Sequence, residues 1–292
     1  MIKALANTIR KQIVLCIWAM ILALSPVFAQ PAAYLDKVYS TPDLTQTDPR
    51  GSFADGGENF CAPVAVSNSF VWLSNNGYPK LLPSIKIPIG TIDRSFEFWR
   101  EVALTKILSS PEFMNTIADE GTYIDNVLLG IKKYVLKQGY SIKQLSYQGF
   151  RSSLSEFDAG IRSPRPELLK QAIIGKSGVW LNVGWYKHNP ETGTYVRVGG
   201  HWVTLVGYGE DKNKQLNSNI FIVHNPSPKA GVLFRNDYIR LEPLKQGVLV
   251  SRRGLLGFPR PVWGFYKIVG DIIPINGSDI VILESAVVLQ LY

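Results

Sequence analysis

A cysteine, a histidine in an apolar segment and an asparagine beyond it occur in an order that suits nucleophilic catalysis. Cys61 falls at the predicted opening turn of a helix, where backbone N–H groups and the helix dipole favour the thiolate over the thiol. His201 lies 140 residues further on, at the start of an apolar strand, and Asn225 closes the next strand. A Cys–His pair needs a third group to hold the imidazole in the right tautomer. Asn225 is placed to supply that group.

Each of these residues also has a simpler explanation. The sequence has two cysteines, and cleavage of the predicted signal peptide (residues 1–29) removes Cys16. The single Cys that is left in the exported chain, Cys61, can be an inert buried thiol or can form an intermolecular disulfide. His201 can be an ordinary strand residue, and an Asn before a Pro is common in turns. The joint order of the three favours the catalytic interpretation. The three His of the chain show no metal-ligand spacing, so we expect neither a metal nor a cofactor.

The elements that must position these residues can be predicted from periodicity. An apolar helical pattern begins at Cys61 and ends at 75–77, with Pro63 in its first turn. Further helices are predicted at about 95–109, 122–138 and 166–174. A strand is predicted at 140–147, and from Gly178 onward alternating apolar residues predict several more. This layout indicates an α+β fold, with helices first and an antiparallel sheet second. Neighbouring strands of such a sheet bring His201 and Asn225 within about 5 Å.

The same residues resemble a known family. Phe60–Pro63 followed by a helix, Gly200–Val203 followed by Gly207–Tyr208, and Asn225–Pro226 are similar to motifs of the papain-like cysteine peptidase superfamily. The branch they resemble most is that of the bacteriocin-processing peptidases, which act on double-glycine leaders. The resemblance covers residues 59–292. It implies a papain-like fold, in which a helical part carrying the nucleophile Cys61 packs on an antiparallel sheet carrying the base His201 and the orienting Asn225.

The sequence departs from that family at two places. Ala62 occupies the position where the branch has Gly. Asp55 and Gly56 occupy the positions where the family has a Gln that donates to the oxyanion, and the loss of one such donor costs about 10²–10³-fold in rate. Asn59, or the backbone N–H of Cys61, is the candidate replacement. The two tryptophans nearest the histidine in the strand pattern, Trp185 and Trp202, are candidates for lining a substrate groove.

The first 29 residues predict export. They carry Lys3, Arg10 and Lys11, no acidic residue and an apolar run over 13–24, and they close on Ser25–Ala29. This is the pattern of a secretory signal peptide with cleavage after Ala29, and its apolar run is too short to span a bilayer. We therefore expect a secreted or periplasmic protein without stable membrane insertion. Residues 30–57 then form a lead-in or pro-segment, and residues 58–292 form the peptidase-like domain.

Composition and charge limit the classes of molecule that the protein is expected to bind. An apolar content of 46% and a charged content of 18% describe a folded chain of 292 residues. Removal of the signal leaves 28 Lys and Arg against 23 Asp and Glu, a scattered net charge of +5. A nucleic-acid surface needs clustered basic residues, so we expect a protein or peptide substrate instead. Three functions stay open: hydrolysis of a peptide or isopeptide bond, a transglutaminase-like acyl transfer with the same dyad, and binding by a domain that has lost activity.

Overall fold

The structure of the chain is a computed structural model. It describes residues 30–86, 96–151, 154–227, 235–251, 259–272, 274–275 and 277–292. The predicted signal peptide, residues 1–29 with its cleavage point after Ala29, lies outside the described residues. Ala32–Tyr292 forms one compact unit. In the described part of the chain, no helix has the length and apolar character that a membrane span requires.

The described residues contain four α-helices and nine strands. The helices are α1 (Cys61–Asn75), α2 (Phe96–Ser109), α3 (Ile124–Lys137) and α4 (Pro166–Ile173). The strands are β1 (Ile142–Gly149), β2 (Ser177–Asn189), β3 (Thr194–Glu210), β4 (Leu216–His224), β5 (Asp237–Pro243), β6 (Val248–Ser251), β7 (Arg260–Pro261), β8 (Tyr266–Gly270) and β9 (Ile280–Leu291). The α+β class predicted from the sequence is confirmed.

Six of the strands pair in a closed ring. β2 pairs with β3, β3 with β4, β4 with β5, β5 with β8, β8 with β9, and β9 pairs back with β2, all antiparallel. A hydrophobic cluster with members from all six strands lies on one face of this ring, which is the pattern of a small barrel interior. Leu169 and Ile173 of α4, together with Tyr34 and Ile272, also belong to the cluster.

The prediction of a purely antiparallel sheet is wrong at one place. β6 pairs parallel with the first part of β3, over Thr194–Arg197. β3 is 17 residues long, and β4 covers its edge only from Thr204 to Glu210. The first half of that edge is therefore not covered by β4, and β6, which follows β5 in the chain, pairs with it instead. The sheet is mixed because a long strand offers hydrogen-bonding groups to two neighbours along one edge.

Two hydrogen bonds fix the start of α1 against the sheet. Trp180 Nε1 of β2 and Thr204 Oγ1 of β3 both donate to the carbonyl of Ala65, over 3.0 and 2.7 Å. Every residue of α1 from Ala62 to Ser74 is buried, so the helix is held by the core on all sides. Its first turn, which carries Cys61, therefore has a fixed position relative to the strand that carries His201.

The lead-in predicted over 30–57 packs against the rest of the compact unit. Tyr34 exchanges two backbone hydrogen bonds with Tyr208, over 2.9 and 3.1 Å. Val38, Leu44 and Phe53 are buried in hydrophobic clusters with residues of α1, α2, β3 and β4. Whether this segment also acts as a pro-segment stays a prediction.

Candidate active site

His201 and Asn225 are brought together by the pairing of β3 with β4. Thr204 pairs with His224, so these two side chains share one face of the sheet. Because side chains alternate along a strand, Asn225 (one residue after His224) and His201 (three residues before Thr204) both lie on the opposite face. His201 Nε2 lies 2.7 Å from Asn225 Oδ1, a distance of a strong hydrogen bond. Both side chains are buried. The strand register thus creates the predicted imidazole–amide pair.

Trp185 fixes the plane of the imidazole. Its ring stacks on that of His201 with centroids 5.5 Å apart and an interplanar angle of 22°. The hydrogen bond of Nε2 fixes the rotation of the ring within that plane. Nδ1 has no hydrogen-bond partner among the described residues. It is therefore the ring nitrogen whose hydrogen-bonding capacity the described residues leave unused.

Cys61 is the first residue of α1 and is half-buried. The backbone N–H groups of Trp202, Ala62 and Cys61 itself point at its sulfur. Because Trp202 directly follows His201, the sulfur lies beside the part of β3 that carries the imidazole. In the described chain no hydrogen bond joins Cys61 Sγ to His201. Catalytic hydrogen bonds are often long without substrate.

Burial keeps both groups neutral. It raises the pKa of the Cys61 thiol to about 11, although the three N–H groups act in the opposite direction. Burial likewise lowers the pKa of His201 to about 4, although the hydrogen bond that its ring makes to Asn225 acts in the opposite direction. At neutral pH the site therefore holds a thiol and a neutral imidazole. The helix start acts on Cys61 as the sequence indicated, but desolvation is the larger effect.

The N-terminus of α1 offers backbone donors for an oxyanion. Phe60 at the N-cap makes no side-chain hydrogen bond to the helix, and no acidic residue lies in the first turn. Asn59, the candidate replacement for the missing Gln, uses one amide N–H to donate to the carbonyl of Ala118. Asp55 and Gly56 are exposed and have φ angles of 50° and 64°. The backbone N–H groups of Trp202, Ala62 and Cys61 are thus the donors at the sulfur.

The two tryptophans predicted to line a groove have different surroundings. Trp202 is buried in the hydrophobic cluster that includes α1 and α3. Trp185 is partly buried and contacts His201 directly. A separate groove of about 410 Å³ lies at the hairpin between β2 and β3, beside Lys187, His188 and Glu191, and contains none of the predicted site residues.

Sequence reasoning missed an acidic pair behind Asn225. Asp237, the first residue of β5, accepts a hydrogen bond from Asn225 Nδ2 over 3.0 Å. It also forms an ion pair with Arg235, whose Nε lies 3.2 Å from its carboxylate. Asp43 of the lead-in lies against the backbone of Asn225 and Arg235, and burial together with Asp237 raises its pKa to about 8. Val223 of β4 pairs with Asp237 of β5, and this pairing brings the Asp237 carboxylate next to Asn225. No strand is predicted from the sequence over Asp237–Pro243, and such a strand would have indicated that Asp237 lies beside Asn225.

Gln46 is a second residue that the sequence did not indicate. Its backbone N–H donates to the carbonyl of Pro226 over 3.0 Å. Its side-chain amide donates to the carbonyls of Gly57 and Glu58, over 3.0 and 2.5 Å. One residue of the lead-in thus connects the loop before Cys61 with the loop that carries Asn225.

In the described part of the chain, no three His, Cys, Asp or Glu side chains are grouped so that they could hold a metal ion. A comparison of the sequence with models of protein families finds no match, and neither does a comparison with curated proteins.

Proposed function

We propose that this chain is an exported cysteine hydrolase that cleaves a peptide or isopeptide bond, with Cys61 as nucleophile, His201 as general base and Asn225 as the residue that orients the base. The observation that carries the proposal is the 2.7 Å contact between His201 Nε2 and Asn225 Oδ1. It engages one ring nitrogen and leaves Nδ1 for the thiol at the start of α1. The resemblance of the surrounding motifs to papain-like peptidases agrees with this assignment.

The neutral state of the pair implies general-base catalysis. His201 Nδ1 takes the proton of the Cys61 thiol as sulfur attacks the substrate carbonyl, so that a C–S bond forms and the carbonyl electrons move to oxygen. The Cys61 backbone N–H and the start of α1 stabilise that oxygen. The imidazolium gives its proton to the leaving amine when the C–N bond breaks. Water, deprotonated by His201, then attacks the acyl carbon, the C–S bond breaks, and the imidazolium returns its proton to the Cys61 sulfur.

One observation favours a second candidate, a binding domain without catalytic activity. Burial raises the pKa of Cys61 far from the range of reactive thiols. A chain of this kind would keep the strand pair His201–Asn225 for packing alone. A third candidate, acyl transfer to an amine, uses the same residues as hydrolysis and differs only in the acceptor. Product analysis with and without an added amine separates it from hydrolysis.

The rate of alkylation of Cys61 by iodoacetamide at pH 7 tests the proposal. Mass mapping of the peptide that carries Cys61 makes the measurement specific for this thiol. A general base contributes about 10²–10⁴-fold to proton removal, so we expect His201→Ala to slow the reaction at least about tenfold. His188→Ala, whose ring stacks on Tyr195 away from the site, is the matched control and should react like the wild type. Equal rates in wild type and His201→Ala would favour the binding domain.

A peptide electrophile provides the second test. A peptidyl vinyl sulfone is expected to label Cys61 in the wild-type protein and to fail in Cys61→Ala and His201→Ala. A positional library of such probes then reports the preferred side chains beside the scissile bond. Labelling that is independent of His201 would mean that the thiol reacts without a base, which contradicts the proposed mechanism.

A further inference from the structure

We propose that Asp237 is a positioning residue that fixes the orientation of the Asn225 amide and, through it, keeps the proton of neutral His201 on Nε2. This inference deepens the proposed function and rests on it for its catalytic meaning. Its geometric basis is a buried chain of contacts: His201 Nε2 to Asn225 Oδ1 at 2.7 Å, then Asn225 Nδ2 to Asp237 Oδ2 at 3.0 Å.

An ionised carboxylate can only accept hydrogen bonds. Burial raises the pKa of Asp237, but the hydrogen bond from Asn225 and the charge of Arg235, whose Nε lies 3.2 Å from Oδ1, favour its charged form. The group of Asn225 that faces Asp237 must therefore be the NH₂ group, and the group that faces His201 must be the carbonyl oxygen. An amide oxygen accepts only, so His201 Nε2 must be the donor. Nδ1 is then the unprotonated nitrogen that a general base requires.

A second contact gives the same orientation independently. The backbone N–H of Ser227 donates to Asn225 Oδ1 over 3.1 Å. A flipped amide would place its NH₂ group against this N–H and its oxygen against Asp237 Oδ2. Both contacts would be repulsive, and the site is buried from water that could relieve them. The orientation of Asn225 is therefore determined from two sides, with the acidic side supplied by β5.

The charges around Asp237 are compatible with this role. Arg235 faces Oδ1, and Asp43 lies against the backbone of Arg235 and Asn225, near enough for its charge to interact with that of Asp237. Asp271, the next acidic residue towards β8, accepts the backbone N–H of Tyr238. Asp237 is 2% exposed, so no bulk water competes for its oxygen. A purely electrostatic role would depend on the negative charge, whereas positioning depends only on an acceptor oxygen at this place.

The two roles predict different results for two substitutions of nearly equal size. Asp237→Asn retains an oxygen for Asn225 Nδ2, with its NH₂ group turned to the half-exposed Arg235. Asp237→Leu removes the acceptor. The tautomer of His201 is measured from ¹H–¹⁵N long-range NMR spectra of protein labelled with ¹⁵N-histidine, with the His201 signals assigned by their loss in His201→Ala.

We expect the Nε2–H tautomer alone in the wild type and in Asp237→Asn, and in the control Arg235→Gln. In Asp237→Leu we expect the Nδ1–H tautomer to reach at least about a tenth of the population, and the alkylation of Cys61 to slow at least about tenfold. A single Nε2–H tautomer in Asp237→Leu would overturn the proposal. So would equal effects of Asn and Leu, because they would show that the charge matters and the acceptor does not.

An exchange of the two side chains keeps the proposal testable if Asp237→Leu fails to fold. Asn225→Asp alone places two carboxyl groups face to face, which cannot both be ionised at this distance. Asn225→Asp combined with Asp237→Asn restores one donor and one acceptor in reversed order. We expect the combined variant to react at Cys61 at least about tenfold faster than Asn225→Asp. No recovery would mean that residue 237 does not act through residue 225.

The tautomer also separates this inference from the proposed function. It can be read in a protein whose Cys61 never reacts. If the wild-type thiol proves inert but the tautomer depends on Asp237, the hydrolase proposal fails and the positioning role remains. If Cys61 reacts through His201 but the tautomer does not depend on Asp237, the positioning role fails and the hydrolase proposal remains.

Discussion

The carbonyl oxygen of Gln46 occupies the space where a side chain on Gly57 would begin. A Cβ at Gly57 would lie 1.8 Å from Gln46 O, and the φ angle of Gly57 is +81°. The side-chain amide of Gln46 also donates to the carbonyl of Gly57 over 3.0 Å. The backbones of Gln46 and Gly57 are therefore in contact, four residues before the proposed nucleophile.

Substitution of Gly57 tests how strongly this contact matters. Gly57→Ala must displace the backbone of Gln46, whereas Gly56→Ala, at φ +64°, meets nothing within 4 Å. Both substitutions are expected to lower the free energy of unfolding by about 1–2 kcal/mol, because alanine is strained in the left-handed conformation. We expect Gly57→Ala to lose about 1–3 kcal/mol more from steric overlap, as measured by urea unfolding. Equal losses in the two variants would mean that the loop moves away without cost.

Loss of the Gln46 amide is predicted to loosen the loop before Cys61. Gln46→Met keeps the length of the side chain but removes both donated hydrogen bonds, each with a net value of about 0.5–1.5 kcal/mol. We expect a loss of about 1–3 kcal/mol in unfolding free energy and slower alkylation of Cys61. Gln144→Met, at an exposed position of β1, is the control. A stable variant with slow alkylation would still support the connection, whereas wild-type values for both would contradict it.

The stability of the protein is predicted to depend on Asp43 between about pH 4 and pH 8. Burial, together with Asp237, raises the pKa of Asp43 to about 8 from 3.8. The folded chain therefore binds a proton that the unfolded chain has released, and this contribution to stability is lost as pH rises towards 8. We expect Asp43→Asn to be more stable than the wild type at pH 8, with a smaller difference at pH 5.

Urea unfolding at the two pH values measures this effect. Asp119→Asn, at an exposed position, is the matched control and should show no such dependence. The same difference at both pH values would place the effect of Asp43→Asn in packing rather than in ionisation.

The sequence predicts well what depends on local periodicity. α1 begins at Cys61 and ends at Asn75 as predicted, since the apolar spacing, Pro63 and the Asn76–Gly77 stop are all local signals. The contact of His201 with Asn225 could be anticipated because antiparallel neighbours share a register. These two residues needed only the correct strands and the correct order.

The rest of the site depends on long-range contacts. Gln46 and Asp237 reach the site through pairings that no short pattern encodes, and the parallel strand β6 depends on which edge of β3 is left unpaired. The neutral state of Cys61 and His201 also escaped the sequence, because burial is a property of the whole fold. A helix start predicts a lower thiol pKa, but the surrounding core decides the outcome.

A buried ion-pair cluster supports the strand that carries His201. Glu284 of β9 accepts Arg197 Nε at 2.7 Å, Arg151 Nη2 at 2.5 Å and Tyr186 Oη at 2.6 Å. A Cβ on Gly200 would come within 2.1 Å of Arg197 Nη2. The glycine before His201 therefore leaves room for the guanidinium, and the ion-pair cluster packs directly against β3.

Removal of the charge of Glu284 should be strongly destabilising. Glu284→Gln leaves Arg197 and Arg151 without their carboxylate, and breaking a buried pair in this way costs about 3–5 kcal/mol. The exposed pair of Glu112 with Lys137 is the matched comparison, and Glu112→Gln should cost less than about 1 kcal/mol. Urea unfolding at pH 7 measures both. Equal small losses would mean that the two arginines find water or other acceptors when Glu284 is neutral.

The same substitution predicts a pH dependence. Burial opposes the ionisation of Glu284, but the charges of Arg197 and Arg151 outweigh it and lower its pKa. The folded pKa is then below the unfolded value of about 4.3, so this stabilisation is present above that pH and is lost as pH falls through the folded pKa. We expect the difference between wild type and Glu284→Gln to shrink in unfolding curves below about pH 4. A difference that stays constant down to pH 3 would contradict the ion-pair origin of the stabilisation.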